Sequence, residues 1–324
     1  MEPITATFFD LARADLRAVE ERMRSHDGRH HPRLDAAIGQ LLLSGGKRIR
    51  PTLAVLMGGL LGGDKERVIT LAAAVEMLHT ATLVHDDLID GSLLRRGAPT
   101  LNAQWSAGAT VLTGDYVFAR AAHLAAEIES VALMRIFSRT LMTIVNGEIT
   151  QLFRTRRGLD PRKDYLERIH AKTASLFEAA AEGAATLSGS PESDVVSMKS
   201  FGYEIGMAFQ IMDDVLDFTG EASTLGKPVA SDLRQGLVTL PTVCYMETNP
   251  GDDVLERFLG EDRPDERGVE GLIQRIRKSG AIERAVREAE DFVESGRARL
   301  TAFAASPERE ALDELACYVV QRIL

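Results

Sequence analysis

The sequence predicts an all-α protein that folds as a single domain over residues 1–324. Long stretches rich in alanine and leucine repeat their apolar residues every three to four positions, which is typical of helices that bury one face. The strict alternation of apolar and polar residues that marks a half-buried strand is scarce. No Ser-, Gly- or Pro-rich linker divides the 324 residues, of which 45% are hydrophobic, so we expect one large core.

The amino-acid composition argues against some classes of binding partner and cellular location. The chain has 38 Lys and Arg against 48 Asp and Glu, a net charge of −10, which argues against binding to nucleic acid. No run of about 18 apolar residues stands out, so we expect no transmembrane segment. Cys244 and Cys317 fit neither a disulfide framework nor a metal-knuckle spacing, and a reducing cytoplasm is the simplest location.

The first helix is predicted near the start of the chain. Its apolar residues recur at helical spacing and should form one buried face: Phe8, Leu11, Ala12, Leu16 and Val19.

A short cationic loop, residues 45–51, follows the next polar segment and contains Lys47, Arg48 and Arg50. Its glycines let the backbone approach a ligand, and Pro51 suits the first turn of a helix. Such a loop predicts an anion site, although a basic surface patch is the alternative.

The next helix, predicted over residues 71–90, ends in three aspartates. Asp86 and Asp90 are four residues apart and therefore project from one face, with Asp87 beside them. Three close carboxylates on a half-buried helix repel one another and call for a cation. Mg²⁺ fits because it prefers one or two carboxylates together with phosphate oxygens and water. The alternative is a solvated acidic helix face. Arg95 and Arg96 follow just beyond the helix end.

A stripe on the same helix runs back from the aspartates. Thr82, Leu78 and Val75 precede Asp86 by four, eight and eleven residues and share its side, and Ala81 lies beside Thr82. An apolar tail of a molecule held at Asp86 would follow this stripe. Ordinary helix packing explains the same pattern.

Two helices in the middle of the chain carry further polar candidates. Asp115 follows Gly114 and precedes an apolar stretch, which predicts a helix-capping role. Glu148 falls on one face with Gln151, three residues later, and is a candidate to support a site.

A second acidic helix repeats the spacing of the first. Asp213 and Asp217 stack at i and i+4, Asp214 lies beside them, and Gln210 precedes Asp213 by three residues. A neighbouring apolar stripe on this helix predicts that it is partly buried. Two such motifs in matching register predict a cleft lined by carboxylates.

The motifs together resemble those of the trans-polyprenyl diphosphate synthases, in particular the long-chain octaprenyl, heptaprenyl and solanesyl synthases. The likeness extends over about two thirds of the chain, in family order. It rests on the cationic loop, on Asp86 to Asp90 with Arg95-Arg96-Gly97, on Thr113 to Tyr116, on Gly147 to Gln151, on Lys172-Thr173-Ala174, on Asp213 to Asp217 and on Thr239-Leu240-Pro241. The resemblance implies an isoprenoid-synthase helical bundle with a central cavity, a homodimer, and three Mg²⁺ ions per active site.

The resemblance also implies a role for each matching residue. Asp86, Asp90 and Asp213 would bind the metal, with Asp87, Asp214 and Lys172 completing the catalytic set. Residues matching the isopentenyl diphosphate site are Lys47, Arg50, His79 and Arg96. Residues matching the allylic diphosphate site are Arg95, Lys172, Thr173, Gln210 and Lys227. The chain departs from the common pattern at Leu237, where many members have a lysine, and at Gly91, where an acidic residue is common.

Product length is left open by these patterns. In short-chain members of the family a bulky aromatic closes the pocket near Ala81 and Thr82, so these small residues favour a longer product of about C30 to C50. A C20 geranylgeranyl product is the alternative, with a floor formed at Leu78 or Phe118. A non-catalytic subunit of a heteromeric synthase and a terpene cyclase are less favoured, because such subunits lose an aspartate motif and cyclases usually alter the second one.

Overall fold

The computed structural model describes residues 7–25, 31–43, 46–95, 97–153, 160–220, 229–260 and 265–321. Within them the prediction of an all-α protein is confirmed, and a two-residue hairpin accounts for the strand pairing. The first nine elements are α1 (Thr7–Arg24), α2 (Pro32–Leu43), α3 (Ile49–Leu60), α4 (Lys65–Ile89), β1 (Leu94–Arg95), β2 (Ala98–Pro99), α5 (Leu101–Gln104), α6 (Ala107–Glu127) and α7 (Val131–Phe153). The others are α8 (Pro161–Ile169), a π-helical turn (His170–Ala174), α9 (Ser175–Leu187), α10 (Glu192–Thr219), α11 (Ser231–Arg234), α12 (Leu240–Thr248), α13 (Asp253–Gly260), α14 (Glu266–Lys278), α15 (Ala281–Leu300) and α16 (Pro307–Gln321).

Two compact units divide the chain. Unit 1 comprises Met1–Thr140, Leu176–Gly202 and Leu300–Leu315, and unit 2 comprises Leu141–Ser175, Tyr203–Arg299 and Ala316–Leu324. Each unit is discontinuous in sequence, so no linker of the kind that separates consecutive domains is needed to form them. The expectation of a single domain over residues 1–324 stays a prediction.

Helix α4 forms the centre of unit 1. Asp64 caps its start by accepting a hydrogen bond from the backbone N–H of Arg67 at 2.9 Å. Its apolar residues are buried around most of its circumference, as expected for a helix surrounded by others. Helices α6, α3 and α1 pack against it. At Gly58 of α3 a Cβ would fall 2.6 Å from Val68, so glycine permits the close approach of α3 and α4.

The same helix bears on the expectation that the chain has no transmembrane segment, which stays a prediction. Within the described residues α4 is long and apolar enough to cross a membrane by length and composition, whereas the sequence was expected to contain no such segment. Scattered polar residues such as Glu76 and His79 interrupt the run without lowering its average hydropathy below that of a spanning helix. However, 78% of its most apolar window is buried inside the protein, as in the core helix of a globular domain.

Unit 2 contains the second half of α10 together with α8, α11 to α14 and nearly all of α15. Helix α12 packs against α8 and α14, and α14 also contacts α11 and α13. Arg162 of α8 connects three of these elements, because its guanidinium contacts Glu247 of α12 at 2.6 Å and Glu288 of α15 at 2.6 Å. These contacts raise the pKa of Arg162, so the arginine stays charged. The network fixes the helix that leads into the π-helical turn.

Candidate active site

The first aspartate motif lies at the C-terminal end of α4. Helix α4 ends at Ile89, Asp90 is the first residue beyond it, and Gly91 follows with a positive φ of 63°. Glycine adopts this left-handed conformation without strain, so Gly91 suits the end of the helix. Asp86 is half-buried, Asp87 is buried and Asp90 is exposed. The motif therefore presents Asp86 and Asp90 toward solvent and directs Asp87 inward.

Asp87 is held by an arginine from the hairpin that follows. Gly97, with a φ of 77°, allows the β1–β2 hairpin to turn. From β1, Arg95 donates through Nε to Asp87 Oδ1 at 2.9 Å. Burial raises the pKa of Asp87, while the charge and hydrogen bond of Arg95 lower it. Arg95 thus has a partner within the protein besides its predicted role at the allylic diphosphate.

The three cations of the cationic loop have different environments. Arg48 adopts a left-handed conformation with a φ of 48° and is largely buried, with its Nη1 2.7 Å from Glu76 Oε1. Lys47 is exposed, and the guanidinium of half-buried Arg50 lies 4.8 Å from the centre of the Phe177 ring. Such stacking orients a guanidinium without consuming its hydrogen-bond donors. The arrangement therefore separates a structural arginine, Arg48, from Lys47 and Arg50, the two residues predicted to bind phosphate.

His79 and the predicted chain-length stripe lie farther back on α4. His79 is seven residues before Asp86, on the same side of the helix, and is half-buried. The stripe is inside unit 1: Val75, Leu78 and Ala81 are exposed by 2% or less, and Thr82 is half-buried. The burial of the stripe is compatible both with a tunnel wall and with ordinary packing, so its role stays a prediction.

The predicted capping role of Asp115 is wrong. Ser106 caps helix α6 instead, accepting a hydrogen bond from the N–H of Ala109 at 3.4 Å, and Asp115 lies in the middle of that helix. The Oδ1 atom of Asp115 is 3.4 Å from His85 Nε2. A Cβ at Gly114 would fall 2.3 Å from the same ring nitrogen, so glycine makes room for His85. Gly114 does not start a helix, because the apolar pattern of α6 extends on both sides of it.

In unit 2, a π-helical turn presents Lys172 and Thr173. The backbone N–H of Ser175 bonds to the carbonyl of His170, the i to i+5 pattern that defines a π-bulge and often marks functional sites. The bulge packs against Gly147 of α7, where a Cβ would fall 2.5 Å from the Ala171 side chain. Next to this glycine, Glu148 lies 3.0 Å from Lys172 Nζ. Glu148 thus supports a predicted site residue, as its position on the helix suggested.

Thr173 is the first member of a hydrogen-bonded series. Its Oγ1 donates to Gln210 Oε1 at 2.7 Å, and Gln210 Nε2 donates to Asp214 Oδ1 at 2.8 Å. The other carboxylate oxygen of Asp214 accepts a bond from the Tyr165 hydroxyl at 2.8 Å. The structure therefore brings together Thr173, Gln210 and Asp214, and it adds Tyr165, which the sequence analysis missed. Its one signal in the sequence is its position seven residues, or two helical turns, before the predicted site residue Lys172.

The aspartates of the second motif differ in burial, as in the first. Asp213 is half-buried, whereas Asp214 is 4% exposed. Burial, reinforced by the charge of Asp232, raises the pKa of Asp214 to about 7 despite its bonds from Gln210 and Tyr165. Asp217 is also buried, and its Oδ2 accepts the backbone N–H of Asp232 at 3.1 Å. Asp217 thus fixes the start of α11, which leaves Asp213 as the member nearest to solvent.

Two predicted site residues, Arg96 and Lys227, lie outside the described residues. Among the residues that the structure describes, no three His, Cys, Asp or Glu side chains converge on a preformed metal position. The oxygen-only donor set nevertheless fits Mg²⁺, since this ion takes one or two carboxylates and obtains its other ligands from substrate phosphates and water. The assignment of Asp86, Asp90 and Asp213 to this ion stays a prediction.

Comparison with known proteins identifies the family. The chain matches the polyprenyl synthetase family over residues 31–276. It is 38% identical to heptaprenyl diphosphate synthase component 2 of Geobacillus stearothermophilus, with 95% of this chain and 96% of that protein covered. It is 35% identical to octaprenyl diphosphate synthase of Escherichia coli, with coverage of 88% and 89%.

Solved structures give the same result. A polyprenyl synthase from Caulobacter crescentus, complexed with calcium and isoprenyl diphosphate, has a TM-score of 0.85 at 37% identity, and the match covers 97% of each chain. Heptaprenyl diphosphate synthase from Staphylococcus aureus has a TM-score of 0.90 at 33% identity, with 96% of this chain and 98% of that chain covered. This chain belongs to the polyprenyl synthetase family, has its helical isoprenoid-synthase fold, and is a prenyltransferase.

Proposed function

We propose that this protein elongates an allylic diphosphate by successive trans additions of isopentenyl diphosphate, giving a polyprenyl diphosphate of about C30 to C50. The observation that carries the proposal is the difference in burial among the aspartates of each motif. Asp87 of the first motif and Asp214 and Asp217 of the second are buried and hydrogen-bonded by the protein, while Asp86 and Asp213 lie nearer to solvent. Two motifs of this kind suit the binding of a diphosphate through divalent ions.

Asp86, Asp90 and Asp213 would hold about three Mg²⁺ ions with the allylic diphosphate. Bound Mg²⁺ would neutralise the charge that develops on the departing diphosphate, which favours the transition state over the ground state. Calcium is the ion named with the Caulobacter crescentus relative, which supports an oxygen-lined divalent site in the family. Lys172, Arg95 and Lys227 are proposed to bind the same diphosphate directly.

The allylic C–O bond breaks with its electron pair leaving on diphosphate, and the resulting allylic cation is proposed to be stabilised at Thr173. The hydroxyl oxygen of Thr173 presents lone pairs, and Gln210 orients that hydroxyl at 2.7 Å. Fixed dipoles directed at developing charge lower the barrier because they need no reorganisation during the reaction.

Isopentenyl diphosphate is proposed to bind at Lys47, Arg50, His79 and Arg96. Arg50 is oriented by the Phe177 ring, and Lys47 is exposed, as a residue that captures a phosphate from solvent would be. The double bond of isopentenyl diphosphate attacks the cation at C1, and loss of a proton then restores a double bond. We propose that the released diphosphate accepts this proton, which regenerates an allylic diphosphate five carbons longer.

Product length is proposed to depend on the stripe of α4. Ala81 and Thr82 are small and lie within five residues of Asp86, so a growing chain would not be stopped there. The relatives named as octaprenyl and heptaprenyl diphosphate synthases support a long product. The alternative is a C20 product, with a floor at Leu78 or Phe118. A solved structure 30% identical to this chain is named as a geranylgeranyl pyrophosphate synthetase, from Pyrococcus horikoshii, which supports keeping this alternative.

We also propose a cytoplasmic homodimer. The exposed face of α7 in unit 2 carries an apolar stripe at helical spacing, formed by Met142, Val145, Ile149 and Leu152, which are 46% to 64% exposed. A second copy of the chain would cover this stripe. The alternative is a heteromer, because one relative is named as component 2 of its synthase. Analytical ultracentrifugation of the purified chain alone distinguishes a dimer from a monomer that awaits another protein.

The activity is tested by incubating the purified protein with labelled isopentenyl diphosphate, Mg²⁺ and either farnesyl or geranylgeranyl diphosphate. The products are dephosphorylated and sized by chromatography. A ladder that ends between C30 and C50 supports the proposal in full. An end point at C20 from farnesyl diphosphate supports the chemistry and places the floor near Leu78. No incorporation by the chain alone would overturn the proposal of a self-sufficient synthase.

A further inference from the structure

We propose that Tyr165 is a positioning residue that acts through Asp214 and Gln210 to fix the direction of the Thr173 hydroxyl proton. This inference rests on the function proposed above and assigns a role to a residue outside both aspartate motifs. It is carried by the series of bonds from Tyr165 to Asp214, from Gln210 to Asp214 and from Thr173 to Gln210, each 2.7 or 2.8 Å long.

The chemistry of the four groups determines the direction of each bond. The Tyr165 hydroxyl donates to Oδ2 of Asp214, and the Gln210 amide nitrogen, which can only donate, bonds to Oδ1. A glutamine amide has its two donors on nitrogen and its acceptor on oxygen. Because the nitrogen of Gln210 faces Asp214, its oxygen faces Thr173 and accepts the hydroxyl proton. The lone pairs of Thr173 Oγ1 therefore remain on the side away from Gln210.

The direction of the Thr173 hydroxyl proton affects the stability of the allylic cation. A threonine hydroxyl that rotated freely could point its proton at the allylic cation and repel it, whereas lone pairs stabilise positive charge. The series holds the favourable orientation before the cation forms, which is the condition for electrostatic preorganisation. Tyr165 is 1% exposed and Thr173 is 5% exposed, so water does not compete for these bonds.

The role of Tyr165 is to hold Asp214 in place. Asp214 receives Gln210 on Oδ1 and Tyr165 on Oδ2, so the two bonds fix both the position and the rotation of the carboxylate. Without the tyrosine hydroxyl the carboxylate can rotate and the glutamine amide can turn over. Thr173 could then reverse its hydroxyl and accept a bond from the glutamine nitrogen. Removal of the tyrosine hydroxyl is therefore expected to lower the rate at which the allylic C–O bond ionises. The lysine and arginine side chains proposed to bind the two diphosphates are unaffected.

The test is Tyr165→Phe, which removes one oxygen and retains the buried ring. The matched control is Tyr245→Phe, because Tyr245 is also buried in unit 2 and its hydroxyl donates to an aspartate, Asp252, at 2.7 Å. Both variants lose a tyrosine–carboxylate bond, and their melting temperatures are compared by circular dichroism. We expect Tyr165→Phe to lower kcat about tenfold with the KM of both substrates within twofold of the parent value. Tyr245→Phe should keep kcat within twofold.

A double-mutant cycle with Thr173→Val separates positioning from a general loss of order. If Tyr165 acts through the threonine hydroxyl, Tyr165→Phe should change kcat by less than twofold once that hydroxyl is absent. A full tenfold loss in the Thr173→Val background overturns the proposal, as does a parent-like kcat for Tyr165→Phe in the wild-type background. An inactive parent protein would instead show that the proposed function itself fails.

Discussion

Arg95 of the β1–β2 hairpin contacts Asp87 of helix α4 through both Nε and Nη2, each 2.9 Å from the same carboxylate oxygen. This contact connects the hairpin to the last turn of α4, where Asp86 and Asp90 also lie. A buried carboxylate that loses its cationic partner is costly, because burial alone disfavours its charged form. The contact therefore couples the stability of unit 1 to the shape of the first aspartate motif.

Replacement of Arg95 by alanine should destabilise the protein and reduce turnover together. We expect a loss of about 1–3 kcal/mol in unfolding free energy, because Asp87 would remain buried without its arginine. Arg95→Ala in an Asp87→Asn background should cost less, since the neutral amide needs no cation. Urea unfolding of the four proteins gives the coupling energy. Additive effects would mean that the contact contributes nothing to stability.

Loss of either metal-binding aspartate should lower turnover by orders of magnitude. Asp86→Ala and Asp213→Ala remove the residues proposed to hold Mg²⁺, and the charge on departing diphosphate would then be poorly neutralised. Asp291→Ala, at an exposed position of α15, is the control for removal of a surface charge. Turnover is measured over a Mg²⁺ titration, and chelation of the metal should abolish it in the parent. Rates near that of the parent in both variants would contradict the assignment.

Substitutions on the α4 stripe should move the product length in opposite directions. Leu78→Ala removes bulk from a predicted wall and should lengthen the product, whereas Ala81→Phe should shorten it by closing the stripe within two turns of Asp86. Ala73→Phe is the control, because Ala73 is equally buried and lies nine residues, or half a turn around α4, from Thr82. Products are sized by chromatography as for the parent. Unchanged products in both stripe variants would refute the role of the stripe.

Acid should remove a stabilising contribution made by Asp252 in unit 2. Burial raises the pKa of this carboxyl, but the N–H of Leu255, the Tyr245 hydroxyl and Arg275 outweigh it and lower the pKa to about 2. Since the folded-state pKa lies below the unfolded value of about 3.9, the contribution is complete above pH 4 and disappears as the pH falls toward 2.

The contribution of Asp252 should be on the order of 1 kcal/mol, because its partner Arg275 is 44% exposed and screened by solvent. Asp252→Asn should therefore lower the melting temperature at pH 7, and the difference from the parent should shrink as the pH approaches 2. Melting temperatures across this range, with Asp253→Asn as the exposed control, provide the measurement. A difference that is constant with pH would exclude a contribution from ionisation.

Much of this molecule can be predicted from local sequence patterns. Helical periodicity gives the fold class, and the pair Ser306-Pro307 is a typical helix start: α16 begins at Pro307, and Ser306 accepts the N–H of Arg309 at 3.2 Å. The burial pattern is less regular, since Leu11, expected on the buried face of α1, is 44% exposed. Local patterns are sufficient where the position and the buried face of a helix depend only on its own capping residues and amphipathicity.

Contacts between distant segments are harder to predict from sequence. The hydrogen bond between Tyr165 and Asp214 joins residues 49 positions apart, and no spacing rule relates them. The pairing of Arg48 with Glu76 likewise distinguishes a structural cation from Lys47 and Arg50, which look alike in the sequence. The sequence does not reveal the π-helical turn either, because its five residues have a composition that is ordinary for an α-helix.

The π-helical turn gives this part of the chain an unusual sensitivity to length. A π-bulge contains one residue more than a continuous α-helix would need, so deleting a single residue there could restore a regular helix at no cost in hydrogen bonds. The deletion would also change the directions of the side chains within the turn, so that Lys172 and Thr173 would lose their contacts with Glu148 and Gln210. Conservative substitutions in the segment from Pro161 to Leu187 should thus be far better tolerated than the loss of any one of its residues.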